Sequence, residues 1–183
     1  MSHSNMRDRL IALAGNTAGD SSDFLDGLSP IHVDWHDEFQ HTYGFLLFHH
    51  RVVRYFNNIV NAGLQPPILA FAANDFQGMN AQPFTGNLAN IDSLGELATF
   101  SNSIESWHGG AHMQIGTATG TPMMDPAQNI YFRPFWRLHL YIDGLFRTVL
   151  QQYGSRAHPN QFVNPTAVAG HIESSHHSWV PRI

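Results

Sequence analysis

The stretch Phe135-Trp136-Arg137-Leu138-His139-Leu140-Tyr141-Ile142-Asp143-Gly144-Leu145-Phe146 decides the fold. Phe135, His139, Ile142 and Phe146 recur at intervals of three and four, and Val149 continues the series. That period places all five on one stripe of an α-helix. The helix is expected over 134–153, with Gly154 as its stop. His139 therefore points into a core. A buried imidazole needs a partner for each of its nitrogens.

Three more helices extend the same reading. Phe45, Phe48, Val52, Phe56 and Ile59 keep helical spacing, and Gly63 with Pro66-Pro67 ends that run. Ser93-Leu94-Gly95-Glu96 has the spacing of a capping box. The helix it opens runs through Leu97, Ile104 and His108 to about Ile115, weakened at Gly109-Gly110. Ser29-Pro30 reads as an N-cap followed by proline at the first helical position, on a helix carrying His32 and His36. Residues 6–14 are a short helix or arm, and 15–23 a break. Residues 64–91 and 116–126 are loops, and from 155 onward a proline-containing tail runs as extended coil. The expected fold is mainly α: a four-helix bundle core around a dinuclear metal site, with long loops and an extended C-terminal tail. A chain of 183 residues is expected to form one domain spanning 1–183.

Composition narrows the function classes. Charged residues are only 13% and apolar residues 43%, which points to extensive buried surface or to a partner that covers some of it. The net charge of −5, with arginine as the only strong base, leaves no basic footprint for nucleic acid. There is no cysteine, so disulfides and thiolate ligation are excluded. The apolar run Leu10–Ala14 is too short for a signal sequence or a membrane span. No membrane partner is expected, and the expected location is the cytoplasm, or export on a carrier protein.

Thirteen histidines stand out against that background. His108 and His112 lie four apart, so on a helix both rings leave from one face. With His139 they make one group, and His36, His41 and His50 make another. Neutral imidazole ligates copper, zinc, iron and nickel, and spacing does not choose among them. Glu105 and Asp143 are candidates to hold ligand rings by hydrogen bonding. His158, His171, His176 and His177 are expected on the surface.

Two segments, about 33–58 and 100–150, resemble the tyrosinase, catechol oxidase and hemocyanin family of type-3 dicopper proteins. Phe100-x4-Glu105-x2-His108-x3-His112 is similar to the helix carrying two ligands of one copper. Phe135-Trp136-x2-His139-x3-Asp143 resembles the "FWxHHxxxD" segment, keeping its second histidine. His41-x3-Phe45-Leu46-x2-His49-His50-Arg51 is similar to "HxxxFLxWHR" of the other copper. His36-Asp37-Glu38-Phe39 resembles the "HNEF" of small bacterial members, with His32 as the competing choice one turn earlier. The resemblance implies two copper ions held by His36, His41, His50, His108, His112 and His139.

What the resemblance implies about activity follows from these residues. O2 would oxidise a small phenolic or aminophenolic substrate to a quinone-type product, with Glu105 as the catalytic carboxylate. A copper chaperone belongs among the candidate partners. Gly109 stands where the family commonly has an asparagine that helps position a water, and this departure weakens the case for monophenol hydroxylation. His49 replaces a tryptophan and is expected to pack beside the site. Met113 is expected as a core filler, and Gly109-Gly110 as a point of close helix packing or as space for a substrate ring. The competing functions are a hemocyanin-like O2 carrier, a non-copper dinuclear metalloenzyme and a metal-free helical protein.

Overall fold

A computed structural model describes residues 6–17, 21–38, 44–60, 86–91 and 93–157. They form α1 (Met6–Asn16), α2 (Ser21–Glu38), α3 (Gly44–Val60), α4 (Leu94–Thr119) and α5 (Arg133–Ala157), with short 3-10 turns at Leu88–Asn90 and Asn129–Tyr131. No strand occurs among the described residues. Among them, no helix is long and apolar enough to cross a membrane.

The helices hold together through stripes of the predicted period. On α5, Phe135, His139, Ile142, Phe146 and Val149 are all buried. They meet Phe45, Phe48, Val52 and Phe56 of α3, the pair of helices in broadest contact. Each large apolar side chain so buried contributes about 1.5–3 kcal/mol. Aromatic stacking fixes the register. Trp35 of α2 lies on Phe48 at 4.7 Å between centroids, and Phe56 lies on Trp136 at 3.7 Å. The Trp136 indole donates to the Ile130 carbonyl at 2.7 Å, so its one polar group is satisfied in the core. α1 covers α2 and α3.

The capping box of α4 forms as its spacing predicts. Ser93 Oγ accepts the Glu96 amide at 3.2 Å, and Glu96 Oε2 accepts the Ser93 amide at 3.1 Å. The helix continues past the expected end near Ile115. Thr117 and Thr119 return their hydroxyls to the carbonyls of Met113 and Ile115, and Gly120 stops the helix at φ 67°. α5 likewise passes through Gly154 to Ala157.

α2 departs most from expectation. It starts at Ser21 rather than at Ser29, and Pro30 lies inside it. An interior proline costs about 3 kcal/mol. The turns before it bury Phe24 and Leu28 on the same stripe as Ile31 and Trp35, which offsets that cost. Ser29 is therefore not a cap; its hydroxyl donates to the Ala127 carbonyl at 2.8 Å.

Candidate metal centre

Four helices each send histidines to one point between them. α2 gives His32 and His36, α3 gives His49, α4 gives His108 and His112, and α5 gives His139. His36 is half-buried and the other five are buried. Two triads that share His49 could hold an ion, the ligand atoms of each lying within 4.8 Å of one another: His32, His36, His49 and His49, His108, His139. His112 lies against His108 at 4.2 Å between ring centroids and 5.3 Å from His139. His32 and His36 meet Nε2 to Nε2 at 3.1 Å, and His108 and His139 at 3.0 Å.

Backbone carbonyls set the tautomers. A carbonyl only accepts, so each ring nitrogen facing one carries the proton. His32 donates from Nδ1 to the Pro126 carbonyl at 2.9 Å, and His112 from Nδ1 to the Met123 carbonyl. His49 donates to the Phe45 carbonyl at 2.9 Å and His139 to the Phe135 carbonyl at 2.8 Å, each one helical turn back. In these four neutral rings Nε2 is left unprotonated, with its lone pair available to accept or to ligate. Nε2 of His49 and of His112 is buried with no hydrogen-bond partner among the described residues. Leaving such a nitrogen unpaired costs about 1–3 kcal/mol, which a metal ion would remove.

The α4–α5 connection is part of this arrangement. Its Met123 and Pro126 carbonyls orient one ring from α4 and one from α2. Asp125 pins the turn, accepting the Ala127 amide on Oδ1 at 2.9 Å and the Gln128 side chain on Oδ2 at 2.6 Å.

The electrostatics keep all six rings neutral. Burial lowers His32 from 6.5 to about 3, and the neighbouring His36 pushes the same way. Burial, then the proximity of His112, lowers His36 to about 4. Burial lowers His112 to about 4 against the raising effect of its bond to Met123. His49, His108 and His139 are held well below 6.5, first by burial and then by neighbouring imidazoles. Protons therefore do not compete for the lone pairs at neutral pH.

A cavity of about 350 Å³ reaches this cluster. His36, His108 and His112 line it, with Glu105, Gly109 and Phe45 beside them. Met124, 63% exposed, also lines it.

Of the residues expected as ligands, the structure brings together His36, His108, His112 and His139. His41 lies outside the described residues, as do His158, His171, His176 and His177. His50 departs from expectation: its Nδ1 donates to Asp143 Oδ1 at 2.6 Å. Its Nε2 is buried without a partner among the described residues, and it belongs to neither triad. The reason is helical register. His49, one turn after Phe45, shares the inward stripe, and His50 is rotated away by 100°. Asp143 accordingly orients His50 and not His139.

Other expectations change as well. His49, expected as packing, joins both triads. His32, the competing choice, stands in the cluster together with His36. Met113 is not a core filler; it is 56% exposed. A Cβ at Gly109 or Gly110 would meet nothing within 4 Å, so neither marks close helix packing. Glu105 lines the cavity at half-burial. A signal for His49 was available: Phe45-x3-His49 repeats the spacing of Phe135-x3-His139.

No family model, curated protein or solved structure matches this chain.

Proposed function

We propose that the protein is a dinuclear copper oxidoreductase that uses O2 to oxidise phenols, catechols or o-aminophenols to quinone-type products. The observation that carries this reading is the convergence of six neutral imidazoles from four helices, four of them with tautomers fixed by backbone carbonyls that leave Nε2 unprotonated. One copper is assigned to His32, His36 and His49; because His49 can serve only one ion, the other is assigned to His108 and His139 together with His112, whose ring lies beside both. Each set takes two rings from a helix pair four residues apart and one from a helix where the ring follows phenylalanine by four.

The donor set supports copper over the other candidates. The described cluster consists of imidazole alone, whereas hydrolytic zinc and non-haem iron sites usually add a carboxylate ligand. Bound copper would supply the electron exchange with O2. The chain's own residues do the rest. The carbonyls of Phe45, Met123, Pro126 and Phe135 hold the rings in place. Phe45 and Gly109 shape the space for an aromatic ring next to His108, and Glu105 stands on the wall as a proton acceptor.

The test is O2 uptake and quinone absorbance with 4-methylcatechol on copper-loaded protein, with zinc-loaded protein as control. Turnover only with copper is expected. Full copper loading without turnover contradicts the oxidase assignment. Because position 109 is glycine, 4-methylphenol is expected to react far more slowly than the catechol.

A further inference from the structure

His49 is the ring that both triads share. Its Nδ1 donates to the Phe45 carbonyl at 2.9 Å, so Nε2 alone can ligate, and one lone pair holds one ion at a time. That Nε2 is buried with no hydrogen-bond partner among the described residues. The ring is not placed evenly between its neighbours. Its centroid lies 4.6 Å from His139 and 5.7 Å from His108, against 5.8 Å from His32 and 6.1 Å from His36. α3 and α5, which carry His49 and His139, are the helices in broadest contact. His49, His108 and His139 are all buried, whereas His36 is half-buried. The sixth ring, His112, belongs to neither triad. The Met123 carbonyl holds its Nδ1, and its Nε2 is buried with no hydrogen-bond partner among the described residues. Its centroid lies 4.2 Å from His108 and 5.3 Å from His139.

We propose that the chain has a one-ion site, His49–His108–His139, that fills before the pair and is dismantled when the second ion arrives, His49 passing to His32 and His36 while His112 takes its place beside His108 and His139. The inference rests on the paired-metal reading of the cluster and not on oxidation chemistry. Three buried rings already gathered on packed helices lose little side-chain freedom when an ion orders them. The half-buried His36 has more to lose, so the other triad fills second. A second ion finds no complete triad, because both triads include His49. The remaining Nε2 of the cluster that is buried without a hydrogen-bond partner is that of His112. His112 lies against His108 and His139 and completes that set. His49 is then released to complete His32 and His36, whose ligand atoms it already approaches within 4.8 Å. Cu(I) and Zn(II) both accept neutral imidazole, so either ion suits the one-ion site. At limiting metal the chain is therefore mononuclear, and the pair forms only with the second equivalent.

Proton–nitrogen correlation spectra of the histidine side chains test this on the full metal-free chain. Zn(II) is the redox-silent probe, and Cu(I) added without O2 is the second. Each cluster resonance is assigned by the single-histidine variant that lacks it. The first equivalent is expected to give His49, His108 and His139 the ring-nitrogen shift of coordination and to leave His32, His36 and His112 in place. The second equivalent should shift those three. His112→Ala should keep the first step and lose the second; if that variant fails to fold, the spectra of the unaltered chain decide. Coordination of His32 with His36, or of His112 with His108 and His139, at the first equivalent means two fixed sites. That result overturns the inference and leaves the paired-metal reading intact, as does coordination of all six rings together. No coordination shift with either probe removes both. Ordered filling in a chain that does not turn over 4-methylcatechol supports the inference and removes the oxidase reading alone.

Discussion

His49 and His139 stack across the bundle with ring centroids 4.6 Å apart and 25° between their planes. Each donates Nδ1–H to the carbonyl of the phenylalanine four residues before it. One helical geometry, used on α3 and again on α5, thus leaves two unprotonated Nε2 atoms in the same space.

Replacing His49 separates this arrangement from one built on His50. His49→Ala is expected to lower copper stoichiometry. His50→Ala should keep both coppers but lose about 3 kcal/mol of stability, because Asp143 is left buried without its partner. Metal analysis after reloading, with urea unfolding of each variant, checks both. Full copper in His49→Ala and loss in His50→Ala would reverse the assignment.

The copper-free protein is expected to be acid-labile. The cluster histidines have folded-state values below the unfolded value of 6.5, His32 at about 3 and His36 and His112 at about 4. Below pH 6.5 the unfolded chain takes up protons that the folded chain refuses. Stability is therefore complete above that pH and falls as pH drops toward about 4. Each such histidine steepens the loss by about 1.4 kcal/mol per pH unit. Denaturant melts between pH 7 and 4.5 measure the slope; a flat profile would mean that the rings are not buried neutral.

Asp125→Ala tests the α4–α5 connection without touching a proposed ligand. It removes the acceptors that hold Ala127 and Gln128, and so loosens the Met123 and Pro126 carbonyls. Copper affinity is expected to drop by about ten- to a hundredfold with stoichiometry unchanged. Unaltered affinity in a competition titration would deny those carbonyls their role.

The glycines of α4 should divide. Gly109→Ala meets open space, so it should stabilise the helix by up to about 1 kcal/mol. Gly116→Ala should destabilise, because its Cβ would come within 3.0 Å of the Thr121 carbonyl oxygen. Gly109→Phe should raise KM for a catechol while copper binding persists. Thermal melts and steady-state kinetics decide each.

Much of this was legible in residue spacing. The α5 stripe, the capping box at Ser93 and the His108–His112 pair all follow from local periodicity, and all three appear in the structure. What was not legible depends on partners distant in sequence. Pro30 reads locally as a helix start, and only burial of Phe24 and Leu28 against other helices carries α2 through it. The motif points to His50, whereas helical register turns His49 inward. The carbonyl of Phe45 and the carboxylate of Asp143 separate the two neighbours, the second across 93 residues. The carbonyls of Met123 and Pro126 carry no residue-type signature at all, since any side chain can present a backbone oxygen.

The central claim, that six imidazoles hold a copper pair open to O2, meets its most direct test in one titration. Metal-free protein is titrated anaerobically with Cu(I), and each sample is exposed to O2 and its near-ultraviolet spectrum recorded. A strong new band that grows with copper and saturates at two equivalents per chain is the expected result. Saturation at one equivalent, or two bound coppers with no band, would contradict it.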